Sequence, residues 1–230
     1  HNSGRRQRQM CIRDSIISCQ HGARNIIRID KWGKVRVLAD KFNGKRFNSP
    51  NDVAVWKDGT LWFTDPPWGL REPHEIPGHW VYKLDPKTGE VEVLIKDLAM
   101  PNGIVFSPDF SRLYVADTGG SKRHPDPKFH DFQDTVTCYA LSKKGKLEKK
   151  LFVIDQGSDG MAVDVKGNLY LTSGNIQVYD SDGKKIETIE IPQKPANLCF
   201  GGKDYQTLFI TARSSLYSVR LNLPGAVSMR

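Results

Sequence analysis

The chain has 230 residues, 38% apolar and 26% charged, with ten Phe, seven Tyr and five Trp. That composition excludes a disordered, collagen-like or coiled-coil polymer, and no run of about 18 apolar residues is present to form a transmembrane helix. The formal net charge is +8, but residues 1–15 (HNSGRRQRQMCIRDS) hold four Arg and one Asp and so supply +3 of it.

Residues 1–15 match no pattern found later in the chain and lack the apolar core of a secretory signal. They read as a basic tail, disordered or non-native, outside the fold. Next, IISCQHGARNIIRIDKWGKVRVLAD (16–40) reads as the outer strands of a blade. Four similar units follow: NDVAVWKDGTLWFTDP (51–66), NGIVFSPDFSRLYVADTG (102–119), DGMAVDVKGNLYLTSG (159–174) and ANLCFGGKDYQTLFITA (196–212). Each pairs two short apolar runs across a polar turn. The opening residue and the Leu of the second run stand 10, 11, 10 and 12 positions apart. A third run follows each pair (HWVYKL, VTCYAL, NIQVYD, SSLYSV), and a fourth follows in the first three units. Short runs rich in Val, Ile, Leu, Tyr and Phe, bounded by turn residues, are strand and hairpin signals. No segment sustains a 3.6-residue apolar period, so helices are expected to be nearly absent.

Four antiparallel strands per repeat predict an all-β chain, a six-bladed β-propeller. It is expected to be incomplete here, with about four blades plus part of a fifth. The expected blades are roughly 16–48 (partial), 49–98, 99–155, 156–194 and 195–226, all within a partial propeller over 16–230. A closing N-terminal partner for the last unit is not visible, which predicts truncation by about one and a half blades, on the order of 60–80 residues at this repeat size. The four Cys, at 11, 19, 138 and 199, form no CxxC or zinc spacing. Cys138 and Cys199, inside apolar runs, read as buried free thiols.

The residue opening each inner strand of a propeller faces the central channel. In this alignment those residues are Asn51, Asn102, Asp159 and Ala196. Two amide oxygens and a carboxylate suit a hard cation such as Ca²⁺, whereas Asn and Asp at SPND, MPNG and GSDG also suit plain turn capping. His21 and Arg24 (QHGAR) read as candidates at the channel mouth, where an Arg could orient hydroxyls or a carboxylate. Asp52 and Asp65 are further substrate-side candidates, and Asp117 matches Asp65 in its repeat. Two inserts, PPWGLREPHEIPGHW (66–80) and GGSKRHPDPKFHDFQD (119–134), are long enough to shape a site. Trp68 offers a sugar-stacking face or plain loop packing. His74, His79, His124 and His130 in these inserts read as solvent-facing. No Gly-rich phosphate loop, GxSxG or HExxH is present.

The stretches CQHGARN, GKRFNSPNDV, LWFTDPPWGL, MPNGIVFSPD, RLYVADTG, SDGMAVD, NLYLTSG and PANLCFGG…LFITARSSLYSVRL, in this order across 16–225, resemble the SMP-30/gluconolactonase/LRE-like family. The resemblance is to its bacterial gluconolactonase-type members. It implies a divalent metal, Ca²⁺ first, with Zn²⁺, Mg²⁺ or Mn²⁺ as alternatives. The family's two Asn and one Asp ligands match Asn51, Asn102 and Asp159; its fourth ligand, an N-terminal Glu, has no counterpart here, which predicts weaker metal binding. The implied activity is a lactonase reaction, hydrolysis of a sugar lactone, with Asp159 also acting as the catalytic proton acceptor and donor. Arg24, His21, Asp52 and Asp65 stand as expected substrate-binding residues. The expected partner is a small-molecule lactone, with no nucleic acid and no membrane. The alternatives are a related phosphotriesterase or arylesterase-like hydrolase, or a non-catalytic binding propeller or inactive fragment.

Overall fold

The structure is a computed structural model and describes residues 7–12, 15–119, 127–129 and 131–226. The first sheet runs β1 (Gln7–Ile12), β2 (Ser15–Gln20), β3 (Asn25–Asp30) and β4 (Val35–Ala39) in spatial order. A small hairpin, β5 (Lys41–Phe42) and β6 (Lys45–Arg46), follows. The second sheet is β7 (Val53–Val55), β8 (Leu61–Asp65), β9 (Trp80–Leu84) and β10 (Val91–Ile95). The third is β11 (Pro101–Phe106), β12 (Arg112–Asp117), β13 (Thr135–Leu141) and β14 (Leu147–Ile154). The fourth is β15 (Met161–Val163), β16 (Leu169–Ser173), β17 (Asn175–Tyr179) and β18 (Lys185–Ile189). The fifth has three strands, β19 (Pro195–Gly201), β20 (Thr207–Ala212) and β21 (Ser215–Arg220). Among the described residues the only helical turn is a 3₁₀ turn at Pro127–Phe129.

The six-bladed expectation, with about four blades plus part of a fifth, is corrected by this strand inventory. The chain is all-β, but of the five-blade β-propeller class: four blades have four strands and the fifth has three. The first sheet gains its fourth strand from β1, which pairs with β2 from Gln7↔Gln20 to Ile12↔Ser15. β1 lies inside the segment set aside as a tail. Its place is fixed by backbone pairing, and the polar sequence QRQMCI carries no strand pattern.

The chain divides into two compact units, one up to Ile104 and one from Val105 onward. In the first unit, Ile17, Cys19 and Ile26 of the first sheet pack with Val53, Leu61, Phe63, Tyr82 and Leu84 of the second, and Phe47 fills the space between. Phe63 stacks on Tyr82 at 5.3 Å, and Phe47 meets both rings edge-on. In the second unit, one core joins the third and fourth sheets through Tyr114, Cys138, Leu169 and Leu171. A second core joins the fourth and fifth through Tyr170, Val178, Leu198 and Ile210. Each buried large side chain contributes about 1.5–3 kcal/mol. Burial follows strand position: every residue of β7, β8 and β15 is buried but Cβ atoms alternate between faces, so those strands are covered on both sides. The outermost strands β4, β14 and β18 are largely exposed.

The turns follow one recipe. Asp30, Ser142, Asp164 and Asp180 each open a turn whose fourth residue is a left-handed Gly, and the Gly N–H donates to the opening residue's carbonyl. The opening side chain accepts from backbone N–H groups two or four residues on, as the Asp30 carboxylate does from Trp32 and Lys34. Short polar side chains that close such local bonds favour turns. Cys138 is a buried free thiol as expected, but Cys199 is exposed, since its side chain on β19 points away from the core that holds Leu198.

Candidate functional site

Asn51 and Asn102 come together in the first unit. Both are buried, at 3% and 5% exposure, and Asn51 Nδ2 donates to Asn102 Oδ1 at 3.1 Å. A threonine hydroxyl frames them. Thr64 Oγ1 accepts from the Asp52 N–H at 3.1 Å and donates to the Asn102 carbonyl at 2.7 Å. The Thr64 carbonyl takes the Asn51 N–H at 2.9 Å.

The same device recurs around Asp159 in the second unit. Thr172 Oγ1 accepts from the Gly160 N–H at 2.8 Å and faces two carbonyl acceptors, Gly160 at 3.1 Å and Ala196 at 3.3 Å. Thus the residue after Asn51 and the residue after Asp159 bond to equivalent hydroxyls. The carbonyls of Asn102 and Ala196, each opening the next repeat, face those hydroxyls. Within each unit a threonine hydroxyl thus connects one repeat-opening segment to the opening residue of the next repeat. Asp159 itself is half-buried. Gly160 is required by its surroundings: a Cβ there would stand 2.3 Å from Asn197 Oδ1 and 2.7 Å from Asn197 Cα.

The remaining expected site residues are engaged within the fold. Asp52 Oδ1 accepts from Val53 N–H and Oδ2 from Ile104 N–H, at 3.0 and 3.1 Å, so its carboxylate ties β7 to β11. Asp65 is fully buried and accepts from the Asn48 and Ser49 N–H groups at 2.8 and 2.7 Å. Burial pushes its carboxyl up to about 7, against the lowering effect of those two donors and of Arg24. Asp65 thereby holds the segment that leads into Asn51. Asn48 adds two bonds of its own, from Nδ2 to the carbonyls of Asp65 and Gly78.

Arg24 is also buried, in the left-handed region at φ 60°. Its guanidinium meets Glu72 at 2.9 Å and Glu75 at 3.3 Å, and donates to the carbonyls of Phe47 and Arg46. His21 is half-buried, with its Cβ 2.6 Å from where a Cβ on Gly69 would stand. Asp117 is fully buried at the end of β12, as Asp65 is at the end of β8.

Residues 66–80 are fastened to their surroundings. Gly69 N–H donates to Ser49 Oγ at 2.8 Å, and Trp68 Nε1 donates to Met100 Sδ at 3.1 Å. His79, expected to face solvent, is instead buried, with Nδ1 2.6 Å from the Ala99 carbonyl. The hydrogen bond gives the ring a polar partner indoors, which composition could not reveal. His74 is exposed. His124, His130 and half of the 119–134 insert lie outside the described residues. Two groups went unnoticed in the sequence. Asn48 gave no signal, but threonine stands fourth in LWFTD, LYLTS and LFITA, and that recurrence marks the frame of the site.

The donor set suits a hard cation. Two buried amides lie in contact, with Asn51 Nδ2 donating to Asn102 Oδ1. Among the described residues no group of three or more His, Cys, Asp or Glu is assembled as a metal site.

Repeated antiparallel blades with polar residues at equivalent strand openings define a propeller-type protein with its polar residues at the inner strands. The sequence model for the SMP-30/gluconolactonase/LRE-like region matches residues 6–214, and the chain belongs to that family. A gluconolactonase of Zymomonas mobilis is 34% identical over 89% of this chain and 59% of its own length. The solved gluconolactonase of Xanthomonas campestris is 36% identical with a TM-score of 0.76, covering 92% of this chain and 68% of that one. Regucalcin of Agrobacterium tumefaciens, described as a calcium-binding protein, shares the fold at 22% identity and TM-score 0.70, over 96% of this chain and 77% of that one. The chain spans about half to three fifths of the length of the first curated relatives it matches.

Proposed function

We propose that the chain serves hydrolysis of a sugar lactone of the gluconolactonase type, assisted by a divalent cation, Ca²⁺ first. The observation that carries the reading is the buried Asn51–Asn102 amide pair at 3.1 Å, at the register that Asp159 occupies in its own repeat. Family membership and the gluconolactonase relatives support the reaction class.

In this reading Asn51 and Asn102 supply amide oxygens to the cation, and Asp159 supplies a carboxylate. When bound, such a cation supplies Lewis-acid stabilisation of developing negative charge on the carbonyl oxygen. Asp159 accepts a proton from the attacking water as the new C–O bond forms. It returns that proton to the ring oxygen as the acyl C–O bond breaks, so lactone and water become one hydroxy acid. Thr64 and Thr172 hold the backbone at the strand openings. Arg24, Asp52 and Asp65, with internal partners, act on substrate by fixing the loops around it, and His21 lies beside Gly69 in one of those loops.

The test is acid release from glucono-1,5-lactone at constant pH, with Ca²⁺ and with chelator. Asn102→Ala and Asp159→Asn are each expected to lower kcat/KM by about 100-fold, within the range for a positioned acid–base group or an oxyanion-stabilising donor. Full activity in chelator, or in both variants, overturns the reading. Turnover of a phosphotriester but of no lactone favours the arylesterase-like alternative.

A further inference from the structure

We propose that Trp68 is the platform on which the ring of the lactone stacks, a specificity determinant that rests on the lactone reading above. Trp68 donates through its indole N–H to Met100, two positions before Asn102, while Gly69 donates to Ser49, two positions before Asn51. One dipeptide thus bridges both segments that carry the touching amides. The indole is held at its polar edge but leaves 42% of its surface exposed; of the other tryptophans only Trp32, in a turn at 80%, is more open, while Trp56 and Trp62 are at most 1% exposed. An aromatic face with its N–H already bonded has only its apolar surface to offer, and the C–H face of a six-membered sugar lactone is its chemical complement.

The loop is fixed rather than free to collapse onto this face. Asn48 Nδ2 holds the Gly78 carbonyl, and Arg24 and Arg46 hold Glu72, with Arg24 also holding Glu75. Gly69 is the residue that allows the approach: a Cβ there would stand 2.5 Å from Ser49 Oγ and 2.6 Å from His21 Cβ. A platform fixed before binding loses little ordering entropy when substrate arrives.

The test uses Trp68→Phe and Trp68→Leu with two readouts. The first is the ratio of kcat/KM for glucono-1,5-lactone to that for γ-butyrolactone, which lacks the hydroxylated six-membered ring. The second is binding of glucono-1,5-lactam, a stable analogue, followed by indole fluorescence and calorimetry. Trp68→Leu is expected to lower the ratio and weaken lactam binding by about 10-fold, equivalent to ~1.4 kcal/mol. Trp68→Phe is expected to recover most of both while losing most of the fluorescence change. Equal losses on both lactones, unchanged lactam affinity in Trp68→Leu, or no lactam binding by the parent chain overturns the platform. Failure to hydrolyse any lactone overturns the reaction instead, and the lactam titration still decides Trp68.

Discussion

Replacing Asp65 by Asn tests how the segment leading into Asn51 is held. The carboxyl is fully buried and receives two backbone N–H groups. Its ordinary value of 3.8 rises to about 7 in the folded chain, with desolvation as the largest cause. Below pH 3.8 the folded and unfolded chains both hold the proton, and the stabilising contribution of the protonated acid is fully present. As pH rises, the unfolded chain releases its proton first, so the contribution falls and is lost through about pH 7. About three pH units at ~1.36 kcal/mol each give a total on the order of 4 kcal/mol, of which about 3 kcal/mol falls between pH 5 and 8. Asn cannot titrate, and it leaves one buried N–H facing an amide donor, at a cost of about 1–3 kcal/mol. Urea unfolding at pH 5, 6, 7 and 8 should therefore show the variant less stable at pH 5. The gap should close, and at pH 8 it should vanish or reverse. A gap that stays constant across this range, or widens toward pH 8, refutes the reasoning.

Thr64→Val removes the hydroxyl that joins the Asp52 N–H to the Asn102 carbonyl; a loss of about 1–3 kcal/mol is expected, read as a lower Tm. Thr172→Val should behave alike, because its hydroxyl makes the corresponding bonds to Gly160 and Ala196. Gly160→Ala drives a Cβ against the Asn197 backbone and should destabilise by about 1–3 kcal/mol in chemical denaturation. Arg24→Met strips Glu72 and Glu75 of a shared cation, and residues 66–80 should be cleaved about 10-fold faster in limited proteolysis, a change of ~1.4 kcal/mol. An unchanged cleavage rate would mean that the other fastenings suffice.

Much of this architecture was legible because each repeat had to solve the same problem. An inner strand covered on both faces needs continuous apolar runs such as LWF and LYL, and a tight turn needs Asp and Gly at set offsets. Those demands recur, so aligning the repeats puts Asn51, Asn102, Asp159 and Ala196 at equivalent positions of the sequence. What stayed hidden depends on partners far away in sequence. β1 is held by pairing with β2, so QRQMCI shows no periodicity. A lone Arg in a turn, such as Arg24, gives no sign of Glu72 and Glu75, which stand 48 and 51 positions later. His79 looked exposed because its neighbours are polar, while its actual partner is a backbone carbonyl. The recurring Thr is visible in the repeats, but its bonds to the opening segment of the next repeat are not.

The short strand β15 has a second backbone partner. Beyond β21, Pro224 accepts from the Val165 N–H, and Ala226 donates to the Val163 carbonyl, beside an isolated bridge between Asp164 and Gly225. A Cβ on Gly225 would stand 2.1 Å from the Phe200 ring, so only glycine lies this close. These three residues shield backbone groups that would otherwise invite a foreign strand. Anyone attaching a reporter or purification handle should therefore leave Pro224–Gly225–Ala226 intact and begin the fusion beyond them, because a splice inside that tripeptide would unzip its backbone bonds to Val163 and Val165 and invite self-association.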